Sequence, residues 1–341
     1  FRQHAKGKIT ADAFRVAQDE AVRDAVAMQE AVGLQAVNDG EFRRASYWSH
    51  FVEGLDGLEV QEARFDFHDD AEAIKFLAPH VVGPIRRKGN LSGGEVAFLK
   101  TITSATIKTT LPSPPTLHFW DAPGSVKAAG YEDDAAYLDD LAKVFREEIA
   151  ELSAQGATYI QLDEVPLAML CDENLRARMA SEGEDPDAAV GRYVDLFNAC
   201  LEGRPEGMAV AMHLCRGNFK GKWLSEGSYR YVSERLFNDI DVDVFFLEYD
   251  TPRAGDFQPL AAVPKHKSVV LGLVSSKTPE LEDGDHLKRR IEEAGRYMDM
   301  DRLGLSPQCG FASAVTGNPV TYDDQVAKLE LVVRIADEVW G

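Results

Sequence analysis

Four residues with metal-binding side chains lie at or just beyond the ends of predicted strands in the second half of the chain. The segment MHLCRGN carries His213 and Cys215, FFLEYD carries Glu248, and LSPQCG places Cys309 in a turn. Residues two apart in a strand face the same side, so His213 and Cys215 can project together. One imidazole, two thiolates and one carboxylate form a donor set typical of zinc. The sequence therefore predicts a Zn2+ site.

Each of these residues also has an ordinary structural interpretation. A single cysteine on a strand is usually a small core side chain, and this is what we predict for Cys171 and Cys200, which lie among apolar residues. A single histidine on a strand is more often hydrogen-bonded than metal-bound, and Glu248 could instead pair with Arg253. The zinc hypothesis depends on the four residues acting together.

Strands and helices alternate along the chain, and the strands deliver the polar residues. Apolar residues at steps of three and four predict helices, and short apolar runs that end in polar residues predict buried strands. The predicted strands are 34–41, 158–162, 208–214, 242–248, 269–274 and 303–305, and the predicted helices are 10–33, 138–152, 190–201, 229–238, 287–298 and 321–340.

This alternation predicts an α/β fold with a parallel sheet, and specifically a single (β/α)8 TIM-type barrel domain over residues 1–341. An open doubly wound sheet is the alternative. The segment at about 56–104 breaks the pattern, and we interpret its RRKGNLSGGEVAFLK stretch as a β-hairpin with a Ser-Gly-Gly turn. It is predicted to be an insertion over one end of the barrel. The polar strand ends lie on the face where barrel enzymes place their sites.

Composition narrows the possible partners. The chain has 57 acidic and 37 basic residues and a formal charge of -20, which disfavours nucleic acid and anionic membrane surfaces as partners. It has no long apolar run and no apolar signal-peptide core, so we expect a cytoplasmic protein. The sequence contains no glycine-rich phosphate-binding loop, so a nucleotide cofactor is not indicated.

The segments MHLCRGN, FFLEYD and LSPQCGF, in this order, resemble the zinc-ligand segments of the cobalamin-independent methionine synthase family. The resemblance runs from about Gly33 to Tyr322, and it is closest to the short branch that has only the catalytic barrel. It implies that the four metal-binding residues named above are zinc ligands. The family's Gly-Ser loop, which contacts the amino acid carboxylate, is expected upstream of Phe1.

Three further segments imply roles through the same resemblance. NDGEFRR resembles the segment whose glutamate contacts the homocysteine amino group, which implies that role for Glu41. YIQLDEVPLA resembles the strand whose aspartate binds the same group, which implies Asp163, with the adjacent Glu164 as a further candidate. TTLPSPPTLHFW resembles the donor-side segment, so Trp120 is expected to stack on a flat ring of the methyl donor, with core packing as the alternative.

The implied reaction is zinc-dependent methyl transfer to the thiol of homocysteine, which forms methionine. The donor would be a methyl-folate or a methyl-corrinoid. A methyl-folate needs a proton on its leaving nitrogen, and His118 and His286 are the candidate proton sources. The basic cluster Arg86, Arg87 and Lys88 could offset the repulsion between this acidic chain and a polyglutamylated folate.

Three other hypotheses for the function remain open. A related zinc barrel could transfer another alkyl group to a different small thiol, as an epoxide-thiol transferase does. Fold relatives that decarboxylate porphyrins use no metal, and the two cysteine segments argue against that class. The protein could also be a non-catalytic binder of zinc and a thiol.

Overall fold

A six-stranded parallel sheet forms the centre of the structure, a computed structural model that describes residues 1–69 and 72–341. Within these residues the strands are Ala36–Val37 (β1), Leu55–Glu62 (β2), Phe67–Asp69 (β3), Glu72–Ile74 (β4), Leu77–Arg87 (β5), Thr106–Ile107 (β6), Thr109–Pro112 (β7), Tyr159–Glu164 (β8), Ala209–Leu214 (β9), Val244–Glu248 (β10), Ser268–Val274 (β11) and Leu303–Pro307 (β12). The helices are Arg2–Ala5 (α1), Ala11–Ala31 (α2), Ser49–Gly54 (α3), Gly93–Leu99 (α4), Ser125–Ala128 (α5), Asp134–Ala154 (α6), Pro166–Met169 (α7), Glu173–Ser181 (α8), Pro186–Leu201 (α9), Ser233–Asp239 (α10), Gly284–Ala294 (α11) and Tyr322–Trp340 (α12).

The parallel strands follow one another in chain order. In the main sheet the order is β7, β8, β9, β10, β11 and β12, and each strand pairs in parallel with the next. Strand β1 pairs in parallel with β6, and the amide of Lys108, between β6 and β7, extends that ladder by donating to the carbonyl of Val37 at 2.8 Å. The predicted α/β class with a parallel sheet is confirmed.

The sheet is strongly curved. Strands β10 and β11 separate β9 from β12, and three strand spacings would span about 14 Å in a flat sheet. Nevertheless, the sulfur atoms of Cys215, just after β9, and Cys309, just after β12, lie 3.7 Å apart. The carboxyl ends of these strands therefore converge on one point.

Two of the predicted helices, 10–33 and 321–340, begin at side chains that cap them. The Thr10 side chain accepts a hydrogen bond from the amide of Ala13 at 3.2 Å and begins α2, and Gly33, with a φ of 91°, lies just beyond its end. A side chain at the capping position satisfies an amide that has no partner inside the helix. Thr321 and Asp324 cap α12 in the same way, reciprocally.

Apolar side chains from the strands and the surrounding helices fill the core. Leu162, Val210 and Phe245 from the sheet and Phe145 and Phe197 from α6 and α9 are fully buried. In the described part of the chain, no helix combines the length and apolar character needed to cross a lipid bilayer.

The predicted insertion contains antiparallel strands, but one predicted turn is wrong. Strand β2 pairs with β5 and β3 pairs with β4, whereas residues 70 and 71, between β3 and β4, lie outside the described residues. The Ser-Gly-Gly segment does not turn a hairpin, because Gly93 begins helix α4. A Cβ at Gly93 would lie 2.1 Å from the side-chain amide nitrogen of Gln155, so the beginning of α4 packs closely against the residue that follows α6.

Ion pairs attach the insertion to the helix layer. Arg87 at the end of β5 contacts Glu148 at 2.5 Å and Glu151 at 2.6 Å on α6. Arg64 forms ion pairs with Glu182 and Glu184, which follow α8. These ion pairs attach the insertion to α6 and to the segment that follows α8.

Gly272 in β11 marks a close approach of strands. A Cβ there would lie 2.8 Å from the Cα of Gln308 and 3.0 Å from the carbonyl oxygen of Leu247. We predict that Gly272→Ala lowers the free energy of unfolding by about 1–3 kcal/mol, measured by urea denaturation, because backbone atoms must move to admit the methyl group. Gly304→Ala in β12 is the control, because its Cβ would meet only the Val270 side chain, at 3.5 Å. Equal effects of the two substitutions would contradict the prediction.

Candidate metal centre

The structure brings the four predicted metal ligands together. His213 lies in β9, Cys215 directly follows it, Glu248 ends β10 and Cys309 follows β12. Each residue offers one donor atom, and these atoms all lie within 4.8 Å of one another. Residues from three strands and from both sides of β11 therefore form one cluster at the carboxyl edge of the sheet.

The spacing of the donors fits a tetrahedral zinc ion. Two sulfurs that each lie about 2.3 Å from zinc would be about 3.8 Å apart in a tetrahedral site. The Cys215 and Cys309 sulfurs are 3.7 Å apart. The Nε2 atom of His213 is buried and has no hydrogen-bond partner in the described part of the chain, which leaves it available as a ligand. Nitrogen, sulfur and carboxylate donors in one buried cluster are the set that zinc accepts.

The pKa values of the two thiols are shifted in opposite directions. The hydrogen bond from Cys215 holds the pKa of Cys309 well below its ordinary value, although burial opposes this. The same hydrogen bond, followed by burial, raises the pKa of Cys215 well above its ordinary value. Burial lowers the pKa of His213, but the adjacent Cys309 and the negative charges of Asp163 and Glu248 outweigh burial and raise it to about 9. A metal bound here would take the place of these protons.

Backbone and aromatic groups hold Glu248. One carboxylate oxygen, Oε1, accepts a hydrogen bond from the amide of Arg216 at 2.8 Å. The hydroxyl of Tyr229 donates to the carbonyl oxygen of Glu248 at 3.3 Å. The buried guanidinium of Arg216 lies 4.4 Å above the ring of Tyr229, a cation-π contact that packs this side of the cluster.

Glu41 is fixed in a strained backbone conformation next to a buried arginine. Its φ is 56°, in the left-handed region that few residues other than glycine adopt. Its Oε1 accepts hydrogen bonds from the Thr110 hydroxyl at 2.6 Å and from Arg44 at 3.2 Å. Arg44 is itself bound by both carboxylate oxygens of Glu95. Such strain persists where the surroundings over-determine a position, as they often do at functional sites.

Asp163 ends a chain of hydrogen bonds in the sheet interior. Lys108 donates to Gln161 at 3.0 Å, and Gln161 donates to Asp163 at 2.7 Å. Burial raises the pKa of Asp163 to about 7, and the negative charge of Glu41 adds to the rise. Two carboxylates that repel each other in a buried place favour a cation between them.

Glu164 faces the opposite side of β8 from Asp163, as adjacent strand residues do. Its side chain is fully buried and accepts a hydrogen bond from the amide of Leu167, at the beginning of α7. Burial raises its pKa to about 8, so it is a neutral acid at pH 7. Its predicted substrate role stays a prediction.

Trp120 packs in an aromatic cluster, whereas His118 lies beside a cavity. Trp120 is 2% exposed and contacts Phe65, Phe76 and Phe119. His118 is buried beside a cavity of about 280 Å³, and its Nδ1 shares a hydrogen bond of 2.9 Å with the Tyr193 hydroxyl. Burial lowers the pKa of His118, and the positive charge of Arg192 adds to the fall.

Other residues singled out in the sequence are not members of the cluster. His286 is exposed on α11. Arg87 is engaged by glutamates of α6, and Lys88 lies 3.6 Å from Asp56. Cys171 and Cys200 are buried core residues, which confirms that prediction.

Two residues at the site, Arg44 and Lys277, are not predicted from the sequence. Arg44 is present in the NDGEFRR segment, but only the fold brings it to Glu95 and Thr110. Lys277 lies 3.6 Å from Glu248, although 28 intervening residues separate them in the sequence. A pattern of apolar residues predicts strands but not which loop side chains meet beyond them.

Comparisons with known proteins found similar sequences and structures. The family model for the cobalamin-independent synthase catalytic domain matches residues 2–338. The uncharacterised protein YxjG of Bacillus subtilis is 39% identical over 99% of this chain and 89% of its own length, and the methionine synthase of Pyrococcus abyssi is 26% identical over 91% of this chain and 80% of its own length. A crystal structure from Listeria monocytogenes, assigned as a vitamin-B12-independent methionine synthase, matches with a TM-score of 0.75 and 31% identity over 99% of this chain and 91% of that one.

The chain therefore belongs to the cobalamin-independent synthase catalytic-domain family, and the predicted resemblance to cobalamin-independent methionine synthases is confirmed.

Glu164 should make stability depend on pH. Its pKa is raised from 4.5 when unfolded to about 8 when folded, so the unfolded chain loses this proton first as pH rises. The contribution of Glu164 to stability is then fully present below pH 4.5, falls by up to about 1.4 kcal/mol per pH unit, and levels off near pH 8. We predict that urea unfolding of metal-free Glu164→Gln shows a smaller loss of stability than the wild type between pH 5 and pH 8. Parallel pH curves for the two proteins would contradict this.

Proposed function

We propose that this protein transfers a methyl group to the thiol of homocysteine, forming methionine, at a zinc ion held by His213, Cys215, Glu248 and Cys309. The convergence of their donor atoms within 4.8 Å is the observation that carries the proposal. Membership of the cobalamin-independent synthase family supports methyl transfer as the reaction.

Zinc, when bound, supplies the Lewis acidity that deprotonates a coordinated thiol at neutral pH. The protein's own residues supply the rest. Cys215 and Cys309 hold the metal through sulfur, and the backbone amide of Arg216 orients Glu248. Burial of the cluster keeps bulk water from competing with the substrate thiol.

The acidic groups near the cluster support an amino acid as the thiol substrate. Glu41 and Asp163 repel each other in the absence of a cation, and the ammonium group of homocysteine would relieve that repulsion. We assign these two residues to ammonium binding. Glu164 would support the end of β8 or, as the sequence suggests, contribute directly to the substrate site.

The methyl donor would approach over the carboxyl edge of the sheet. We propose a methyl-folate or a methyl-corrinoid, with Trp120 on the donor side. Burial lowers the pKa of His118, so this imidazole would have to take up a proton before it could act as the acid that a methyl-folate needs.

We also propose that the chain forms one (β/α)8 barrel domain over residues 1–341. The strong curvature of the sheet supports closure. The loops that follow β1 and β12 meet, because the amide of Val315 donates to the carbonyl of Ala45 at 3.2 Å and Ser46 bridges to Ala314. Strands β6 and β7 continue one another and count as one barrel strand, so β1, β6/β7 and β8 to β12 supply seven strands of such a barrel, and an eighth between β12 and β1 would close it.

The direct test is a methyl-transfer assay with the purified, zinc-loaded chain and L-homocysteine. Methyl-tetrahydrofolate with one or three glutamates and methylcobalamin are supplied in separate reactions, and methionine is measured by mass spectrometry. Methionine from at least one donor is expected. Product with another thiol and an alkyl electrophile, but not with homocysteine, would favour an alkyl transferase. Zinc binding with no product from any pair would favour a non-catalytic binder.

Removal of a sulfur ligand should abolish both metal binding and activity. We predict that Cys215→Ala and Cys309→Ser each lose most of their zinc and at least about 100-fold in activity, because the loss of a ligand exceeds the usual effect of outer-sphere residues. Zinc is measured by elemental analysis. Cys200→Ala is the control, since Cys200 is a buried core cysteine on α9. A Cys215→Ala variant that keeps zinc and activity would remove the assignment.

The ammonium site is tested separately from the metal. Glu41→Gln should weaken homocysteine binding about tenfold or more while leaving zinc content unchanged, since a charged hydrogen bond to the ammonium is lost. Calorimetric titration with homocysteine measures this. Glu59→Gln, on the exposed side of β2, is the matched control. Unchanged affinity in Glu41→Gln would contradict the role assigned to Glu41.

A further inference from the structure

A buried lysine lies beside the metal cluster without a hydrogen bond. Lys277 follows β11, and its side chain is only 4% exposed. Its Nζ atom lies 3.6 Å from Oε2 of Glu248, and it has no hydrogen-bond partner in the part of the chain that the structure describes. A buried cation costs several kcal/mol unless a negative group faces it, so this position calls for an explanation.

Hydrogen bonds from neighbouring loops fix Ser276, the residue before Lys277. The amide and hydroxyl of Ser276 both donate to Oε1 of Gln308, at 3.0 Å and 2.5 Å. Asn318 donates to the carbonyl of Ser276 at 2.9 Å. Gly221, with a φ of 77°, lets another loop approach, and a Cβ there would lie 3.1 Å from the carbonyl oxygen of Lys277. Loops that follow β9 and β12 therefore hold Lys277 towards Glu248.

The groups around the ammonium are acidic. The nearest of these groups is the Glu248 carboxylate, whose Oε2 lies 3.6 Å from Nζ, and Asp250, Cys215 and Cys309 also act on the ammonium. Because Oε1 of Glu248 already accepts from the Arg216 amide, the two carboxylate oxygens have different partners.

We propose that Lys277 is a positioning residue that holds the Glu248 carboxylate away from full engagement with the metal, so that one coordination position stays exchangeable for the substrate thiol. The inference rests on the proposed function. Two thiolates and a carboxylate carry three negative charges, which one divalent ion leaves at a net charge of minus one. A substrate thiolate would bring the total to minus two, and the Lys277 cation returns it to minus one. Lys277 thus favours thiolate binding and provides a partner for Glu248.

The test compares Lys277→Met with Lys277→Arg in the full chain loaded with zinc. Zinc content is measured by elemental analysis, and homocysteine affinity by calorimetric titration. We expect Lys277→Met to keep about one zinc per chain and to bind homocysteine about tenfold or more weakly, because a charge-assisted contact is lost. Lys277→Arg keeps the charge and should remain within about threefold of the wild type.

Lys267→Met is the matched control. Lys267 is also buried, but it lies before β11, at the opposite end of that strand, and its ammonium is bound by the carbonyls of Phe237 and Ile240. Its loss should lower the thermal midpoint without changing homocysteine affinity, which separates general destabilisation from the effect at the site.

The outcomes separate this inference from the proposed function. Wild-type affinity in Lys277→Met would overturn the role of Lys277 and leave the proposed function standing. Loss of zinc from Lys277→Met would also overturn it, because Lys277 would then retain the metal rather than tune thiol binding. A wild-type protein that binds zinc but no homocysteine would reject the proposed function, and the inference with it.

Discussion

Two cysteine sulfurs and a carboxylate must be held close together in a buried place, and the rest of the site depends on this constraint. The negative charges of these three groups repel one another. The proton between the two cysteines, the backbone amide of Arg216 and the buried ammonium of Lys277 reduce this repulsion. The proton shared between Cys215 and Cys309, the raised pKa of His213 and the ammonium of Lys277 are all responses to the same charge. A divalent metal satisfies this need more completely than protons can.

The curvature of the sheet makes the cluster possible. The four ligands come from the ends of three strands or from the turns beyond them, and only bending brings β9 and β12 within reach of each other. Gly272 contributes because it lets β11 lie close to the backbone on both sides. The same curvature brings Glu41, after β1, close enough to raise the pKa of Asp163 in β8. Metal cluster and acidic pair are therefore consequences of one geometric feature.

Much of this arrangement could be predicted from the sequence, because it follows from local rules. Apolar runs that end in polar residues located the strands that carry His213 and Glu248, and Thr10 and Gly33 marked the ends of α2. The family resemblance added the joint identity of the ligands. The Ser-Gly-Gly segment was wrongly predicted as a turn because its glycines suit a turn as well as a helix start, and its close packing against Gln155 is a tertiary contact that the local sequence does not show. Lys277 was missed because three loops, distant in sequence, bring it to Glu248.

The central claim is that the four-residue cluster binds zinc and that the zinc binds the substrate thiol. Zinc X-ray absorption of the purified protein, with and without L-homocysteine, tests it most directly. We expect the zinc coordination shell to contain two sulfurs at about 2.3 Å, the usual zinc-thiolate distance, and to gain a third sulfur when homocysteine is added. A zinc shell whose sulfur count does not change on addition of the thiol, or a protein that binds no zinc, would contradict it.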